Sequence, residues 1–258
     1  EKTLLISPRG LRRWFGVAPL GVLHIGAHRA EEFDDYRRAG FGRVIWVEAQ
    51  ADLIPEIHDV IVGTEDVVIE AVAWSVSGQE LSFQVTSESQ SSSLYDLADH
   101  LVEYPQIRAT EERKVTTIRL DEVIAPGDFF DFLTVDIQGA ELEAIKGLGD
   151  RLSDVRWIFT EVNRREMYEG IPLVEDLDEY LLIQGFRRVL TLWNPAGWGD
   201  ALYVRTMRNS PEIFRFFLAS LFVRSSYHSR EFGKALRKRL TKSRRWLYRT
   251  VDRLRGLR

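Results

Sequence analysis

Four side chains able to hold charge or move a proton stand at or just after apolar runs. His24 follows Val22-Leu23, Glu48 follows Val44-Ile45-Trp46-Val47, Asp136 follows Phe132-Leu133-Thr134-Val135, and Glu161 follows VRWIFT. In an open α/β sheet such residues converge at the carboxyl ends of the strands, where the ligand crevice lies. A carboxylate at the end of a second strand can accept hydrogen bonds from both hydroxyls of a ribose. Glu48 lies 22 positions after Gly26, the spacing such a unit uses. Gly26 and Ala27 are small enough to admit a ligand close to the backbone. The later glycines of a G-x-G-x-x-G turn are absent, because His28 and Glu31 occupy their places. Those glycines let the backbone approach a pyrophosphate. Their absence points to an adenosyl ligand without one, of which S-adenosylmethionine (SAM) is the leading candidate. An α/β unit that binds nothing here is the plain alternative.

The surrounding pattern supplies the elements that must hold these groups. Phe33 and Tyr36 give an apolar stripe to a helix rich in early acids, with Gly40 as its C-cap. A short helix over 52–58 is interrupted near its start by Pro55. VVIEAVA (67–73) reads as a third strand, and Leu81, Phe83 and Val85 alternate as an exposed strand does. TSESQSSS (86–93) is a polar loop, either plain surface or a lid whose hydroxyls face a substrate. Residues 94–113 are expected to be helical, and 115–118 to form a strand. FLTV (132–135) reads as a central parallel strand, followed by a helix over 140–146 and a strand over 155–160. A helix over 175–184 precedes two last strands, 186–192 and 201–205, joined by WNPAGWGD. That hairpin predicts an antiparallel edge strand on a mostly parallel, seven-stranded sheet with helices on both faces.

Length and charge divide the chain further. Its 258 residues suit one catalytic domain plus an appendage. With no cysteine, disulfides, thiolate zinc sites and a cysteine nucleophile are excluded. The first residues hold no signal-like apolar core, and no run approaches a membrane span, so the reading is a soluble, cytoplasmic protein. The net charge of −4 conceals a split: residues 205–258 carry sixteen basic and three acidic residues, residues 1–204 nineteen basic and thirty-six acidic. The expected organisation is a lead-in over 1–20, a SAM-binding domain over 21–206, and a basic amphipathic helical tail over 207–258. In the tail, Leu236, Leu240, Leu247, Val251 and Leu254 fall at helical spacing between Arg and Lys. Such a helix can pack on the acidic domain or on a second subunit, lie peripherally on anionic lipid, or hold a phosphate-bearing acceptor. No recognised motif supports nucleic acid.

Several stretches in order resemble the FkbM family of SAM-dependent methyltransferases, built on the class I Rossmann-like methyltransferase fold. They are HIGAH (24–28), VIWVEA (44–49), AVAWSVSG with the strand after it (71–85), SSSL (91–94), TIRLDEV (117–123), FLTVDIQGAELEAIKGL (132–148) and IFTEV (158–162). The likeness spans 22–205. It implies transfer of a methyl group from SAM to a hydroxyl, typically of a sugar or natural-product scaffold. It also implies that Gly26, Ala27 and His28 hold the methionine end of SAM, with His24 beside them. Glu48, next to Ala49, would bind the ribose, Ala73 would border the adenine, and Asp136 and Gly139 would line the reaction site. The chain departs from the family pattern at His24, where an acid is usual, at His28 for Asn, at Ala30 for Gly, at Thr134 for Lys, and at Gln138 for the acid of D-x-E-G.

An alcohol is a poor nucleophile at neutral pH, so a base or a metal must help remove its proton. Asp136 is the first candidate for the reaction centre, as base or as the group that fixes the acceptor; capping of the following helix is its structural alternative. Glu161 is read either as an acceptor ligand, joining Asp136 around a divalent cation where one is used, or as an ion-pair partner for Arg164 or Arg165. His28 is a candidate base near neutral pH, or a hydrogen-bonding part of the cofactor loop. Two other functions fit parts of the pattern. One is an NAD-dependent oxidoreductase, and the other a non-catalytic module that meets membranes or partners through its tail.

Overall fold

The computed structural model describes residues 4–206 and 215–229. A helix α1 (Pro8–Phe15) precedes β1 (Gly21–Ile25), α2 (Phe33–Ala39), β2 (Arg43–Glu48), α3 (Ile54–Ile61) and β3 (Val67–Glu70). Next come β4 (Val72–Ala73), β5 (Glu80–Thr86), α4 (Asp99–Glu103), β6 (Ala109–Ile118) and α5 (Leu120–Val123). The chain continues through β7 (Phe132–Val135), α6 (Glu141–Lys146), β8 (Trp157–Asn163), α7 (Val174–Ile183), β9 (Phe186–Trp193) and β10 (Trp198–Arg205). A further helix, α8, covers 215–229.

Seven strands form one sheet in the order β3-β2-β1-β7-β8-β10-β9. β1, β7 and β8 are buried along their whole length, as expected of strands covered by helices on both faces. One face packs against α5, α6 and α7 through residues such as Leu120, Ile145 and Leu177. The other packs against α1, α2, α3 and α8 through Leu11, Tyr36, Ile57 and Phe216. β10 is antiparallel to both β8 and β9. The antiparallel strand therefore lies one position in from the edge, not at it, because the hairpin inserts its second strand beside β8.

A second sheet, β4-β6-β5, was not anticipated. The run VVIEAVA is split at Ala71, whose amide donates to the Glu48 carbonyl, so β3 joins the large sheet and β4 the small one. The helix expected over 94–113 shrinks to α4. Residues 109–113 instead extend β6, because pairing with β5 overrides the helical propensity of Ala, Glu and Arg. Pro55 stands in the first turn of α3 and starts that helix, since an N-terminal proline lacks only an amide that has no partner there. The lead-in contains α1, whose Leu11 and Phe15 are core residues. Residues 234–258, expected as the amphipathic helix of the tail, lie outside the described residues.

Candidate active site

The turn after β1 brings the first group of side chains together. Gly26 takes φ +88°, and a Cβ there would stand 2.1 Å from the Asp136 carbonyl oxygen. This glycine is thus required by the backbone of the adjoining strand end rather than by room for a ligand. Ala27, expected beside the methionine end of SAM, is instead 1% exposed and belongs to the core. His28 and Ala30 carry left-handed backbone, at φ +47° and +55°. That winding aims the His28 amide at Glu48 Oε2 (2.8 Å), while the Gln50 amide reaches Glu48 Oε1 at 2.8 Å. Glu48 is buried, which pushes its carboxyl pKa up, against the pull of these amide bonds. The Ala49 amide acts on the same carboxylate.

His28 is a clasp. Its ring binds Glu31 through Nδ1 at 2.6 Å and Ser89 Oγ through Nε2 at 2.7 Å. Neither ring nitrogen is left open to act as a base. Burial raises the Glu31 carboxyl, but hydrogen bonds from His28 and from backbone amides outweigh it and hold the pKa at about 2. The same loop is pinned again by Gln90 Nε2 to Glu31 (3.1 Å) and by Gln50 Nε2 to the Ser89 carbonyl (3.3 Å). The polar loop 86–93 therefore closes over the end of β2. Under it, His24 lies against Trp46 and Tyr36, with Nδ1 3.1 Å from the Tyr36 hydroxyl. Burial lowers its pKa to about 4, so His24 is neutral at pH 7.

The second group surrounds Asp136 at the end of β7. Gln138, at φ +58°, donates from Nε2 to Asp136 Oδ1 (2.7 Å) and accepts at Oε1 from the Tyr168 hydroxyl (2.8 Å). An amide can do both, whereas the acid usual in the resemblance would repel Asp136. Ser93 Oγ donates to the Gln138 carbonyl at 2.7 Å, tying the polar loop 86–93 to this turn. The turn amides of Ile137 and Gly139 go to Glu141, and the α6 N-cap, Ala140, has no side-chain cap. Glu141 thus takes the supporting part considered for Asp136. It is wholly buried, and burial, followed by the charge of Glu161, pushes its pKa up.

Glu161 and Gly139 do not line the cavity that the other residues surround. Gly139 is crowded by Ile171, which a Cβ would meet at 2.5 Å. Glu161 is buried within β8, because the strand runs two residues past it to Asn163. Of its expected partners, Arg164 stacks on Trp193 and Arg165 pairs with Asp99 and Glu103. The carboxylate that reaches the cavity is Asp200, the cross-strand neighbour of Glu161. It accepts from the Leu5 amide at 2.7 Å, so the lead-in crosses the same mouth. Asp200 and Trp198 were hidden in the turn-rich WNPAGWGD, since only the pairing of β10 with β8 makes them strand residues.

The cavity's empty space is about 1020 Å³, open solvent at its mouth included. His24, Gly26, His28, Glu48, Ala49, Ala73 and Asp136 all line it. Val47, Ala71, Val72, Ala73, Phe83 and Leu94 are among its apolar lining residues. Its polar part carries five carboxylates, Glu31, Glu32, Glu48, Asp136 and Asp200, and among the described residues no Lys or Arg lines it. No group of three or more His, Asp or Glu able to hold a metal ion occurs among the described residues.

The methyltransferase FkbM domain model matches residues 24–188, more than half of the chain. The chain belongs to the FkbM methyltransferase family. It is 36% identical over 91 residues to 2-O-methyltransferase NoeI of Sinorhizobium fredii, a stretch covering 34% of this chain and 37% of that relative. The match thus spans little more than a third of the relative's length. Among solved structures, a protein of the NADB-Rossmann superfamily from Streptococcus agalactiae is similar at a TM-score of 0.45 and 14% identity, over 80% of this chain and 72% of that one. The magnesium protoporphyrin IX methyltransferase of Synechocystis PCC 6803 is similar at 0.41 and 10%, over 73% and 71%. The FkbM assignment and the seven-stranded sheet agree on a Rossmann-like methyltransferase fold.

Proposed function

We propose that this FkbM methyltransferase moves a methyl group from SAM to a hydroxyl, on a sugar of a glycan, glycolipid or glycosylated metabolite. The observation that carries the donor assignment is the charge of the cavity: five carboxylates and, among the described residues, no lining Lys or Arg. Such a lining favours a cationic sulfonium and ammonium and opposes the two phosphates of NAD. When bound, SAM supplies a methyl carbon on a positively charged sulfur, open to in-line attack by an acceptor oxygen. Glu48, fixed by two backbone amides, is the ribose acceptor. The Val72, Ala73 and Phe83 wall suits an adenine face. Asp136, oriented by Gln138, takes the acceptor's proton or holds its hydroxyl. The 2-O-methyltransferase name of the NoeI relative supports an oxygen acceptor.

Calorimetric titration with SAM, S-adenosylhomocysteine and NAD tests the donor. Micromolar binding of both adenosyl-sulfur ligands, with NAD far weaker, is the expected result. A folded sample that binds neither, or that prefers NAD, overturns the assignment. The acceptor is then sought by following labelled methyl from SAM into neutral glycosides.

A further inference from the structure

The two sides of α8 differ in a way that packing alone does not explain. Phe216, Ser220 and Val223 are buried against the domain, with the Phe216 ring 6.3 Å from that of Phe15. On the outer side Phe217, Leu218, Leu221 and Phe222 are each about half exposed, at 55%, 51%, 48% and 53%. Positions one and four apart place these four on one helical face. Phe222 meets Trp14 of α1 with ring centroids 4.4 Å apart, and the Arg13 guanidinium lies 5.3 Å from the Trp14 ring. The apolar strip therefore continues onto α1 and ends in cations. α1 and α8 together contain Arg9, Arg12, Arg13, Arg215 and Arg224, all exposed, and no Asp or Glu. The chain then runs from α8 into residues 230–258, where twelve Lys and Arg face two acids.

We propose that the outer face of α8 docks on an anionic lipid bilayer. Acyl chains take up the Phe and Leu side chains, and lipid headgroups meet the exposed arginines of α1 and α8. Binding of this kind rests on apolar area plus electrostatic attraction together. The acid-free rim decides between occupants. It repels the chain's own basic segment and a second copy of the same patch, and it complements a negative surface. A nucleic acid would satisfy the charges and leave four large apolar side chains in water. The inference does not depend on what the cavity binds.

The test is co-sedimentation of the full chain with vesicles of phosphatidylcholine alone and of phosphatidylcholine mixed with phosphatidylglycerol. The wild type is expected to pellet with the mixed vesicles and not with the neutral ones. A variant carrying Leu218→Ser and Leu221→Ser alters two half-exposed side chains that do not line the cavity, so its SAM affinity should stay at the wild-type value and a cooperative thermal melt shows that it folds. Its partitioning should fall about tenfold, the loss expected from two half-exposed Leu side chains. Replacing Arg9 and Arg13 of α1 by Gln should weaken binding to mixed vesicles by about thirtyfold. Wild-type protein that stays in solution with mixed vesicles overturns the proposal. So does undiminished binding by the Ser variant, which would leave the basic segment acting alone. A dimer that dissociates on the Ser substitutions in a chain that ignores vesicles would assign the face to a second copy and also overturn it.

Discussion

The two rims of the cavity are built in opposite ways. The rim that faces the proposed donor comes from one short stretch, residues 24–50, in which backbone amides do most of the holding. The rim around Asp136 is assembled from Ser93, Gln138, Tyr168, Trp198 and Asp200, and is held by side chains reaching across the fold. A ligand shared by every member of a fold is served well by backbone geometry, which few substitutions disturb. An acceptor is served by side chains, which can change without moving a strand. Under the proposed function, the contrast would give binding to Glu48 and turnover to Asp136.

Separating those two assignments is the largest expected effect. Asp136→Asn should lower kcat by roughly 10²–10⁴, the usual range for loss of a positioned base, while the Kd for SAM stays within a few-fold. Glu48→Gln should do the reverse, weakening SAM binding by about ten- to a hundredfold through lost charge-assisted hydrogen bonds. Steady-state kinetics together with calorimetry read both quantities. Two variants that each lose binding and turnover alike would dissolve the distinction between the rims.

His24 lies beneath both rims and gives a pH-dependent version of the comparison. Its folded pKa of about 4 lies below its ordinary 6.5. Between those values the unfolded chain binds the proton more readily, so stability is fully present above pH 6.5 and is lost as the pH falls toward 4. Full burial makes this worth about 3 kcal/mol at most. Denaturant midpoints of the wild type should fall over that window more steeply than those of His24→Gln. Parallel profiles for the two proteins would mean that His24 takes up its proton as readily in the fold as in the unfolded chain.

The same contrast explains what could be seen in the sequence. β1, β2 and β7 are continuous apolar runs, and Gly26 and Glu48 lie on one local pattern, so their placement follows from neighbours in the chain. Asp200 could not be found that way. Its access to the cavity depends on the register that sets it opposite Glu161, and nothing near either residue specifies that pairing. Residues 109–113 misled for a related reason: Ala-Thr-Glu-Glu-Arg prefers a helix locally, and only the partner strand β5 makes it extended. The part of the site made of long-range contacts was therefore the part left illegible.

Ala30 offers the finest comparison, between two buried alanines. It is 2% exposed and holds φ +55°, a conformation that costs a non-glycine residue roughly 1–2 kcal/mol. Ala30→Gly removes that strain. It also gives up a buried methyl, worth about 0.8 kcal/mol, and adds freedom to the unfolded chain, worth about 0.4–1 kcal/mol. The gains and losses nearly cancel, so the net change should lie within about 0.5 kcal/mol. Ala144, fully buried inside α6, has no such strain to release. There the same substitution loses the methyl and about 1 kcal/mol of helix propensity, or about 2 kcal/mol in all. Urea midpoints of the two variants, read with a common m-value, give the difference directly. Equal losses would show that the turn after β1 tolerates its side chain without strain, and that the glycine usual there in the resemblance has another cause.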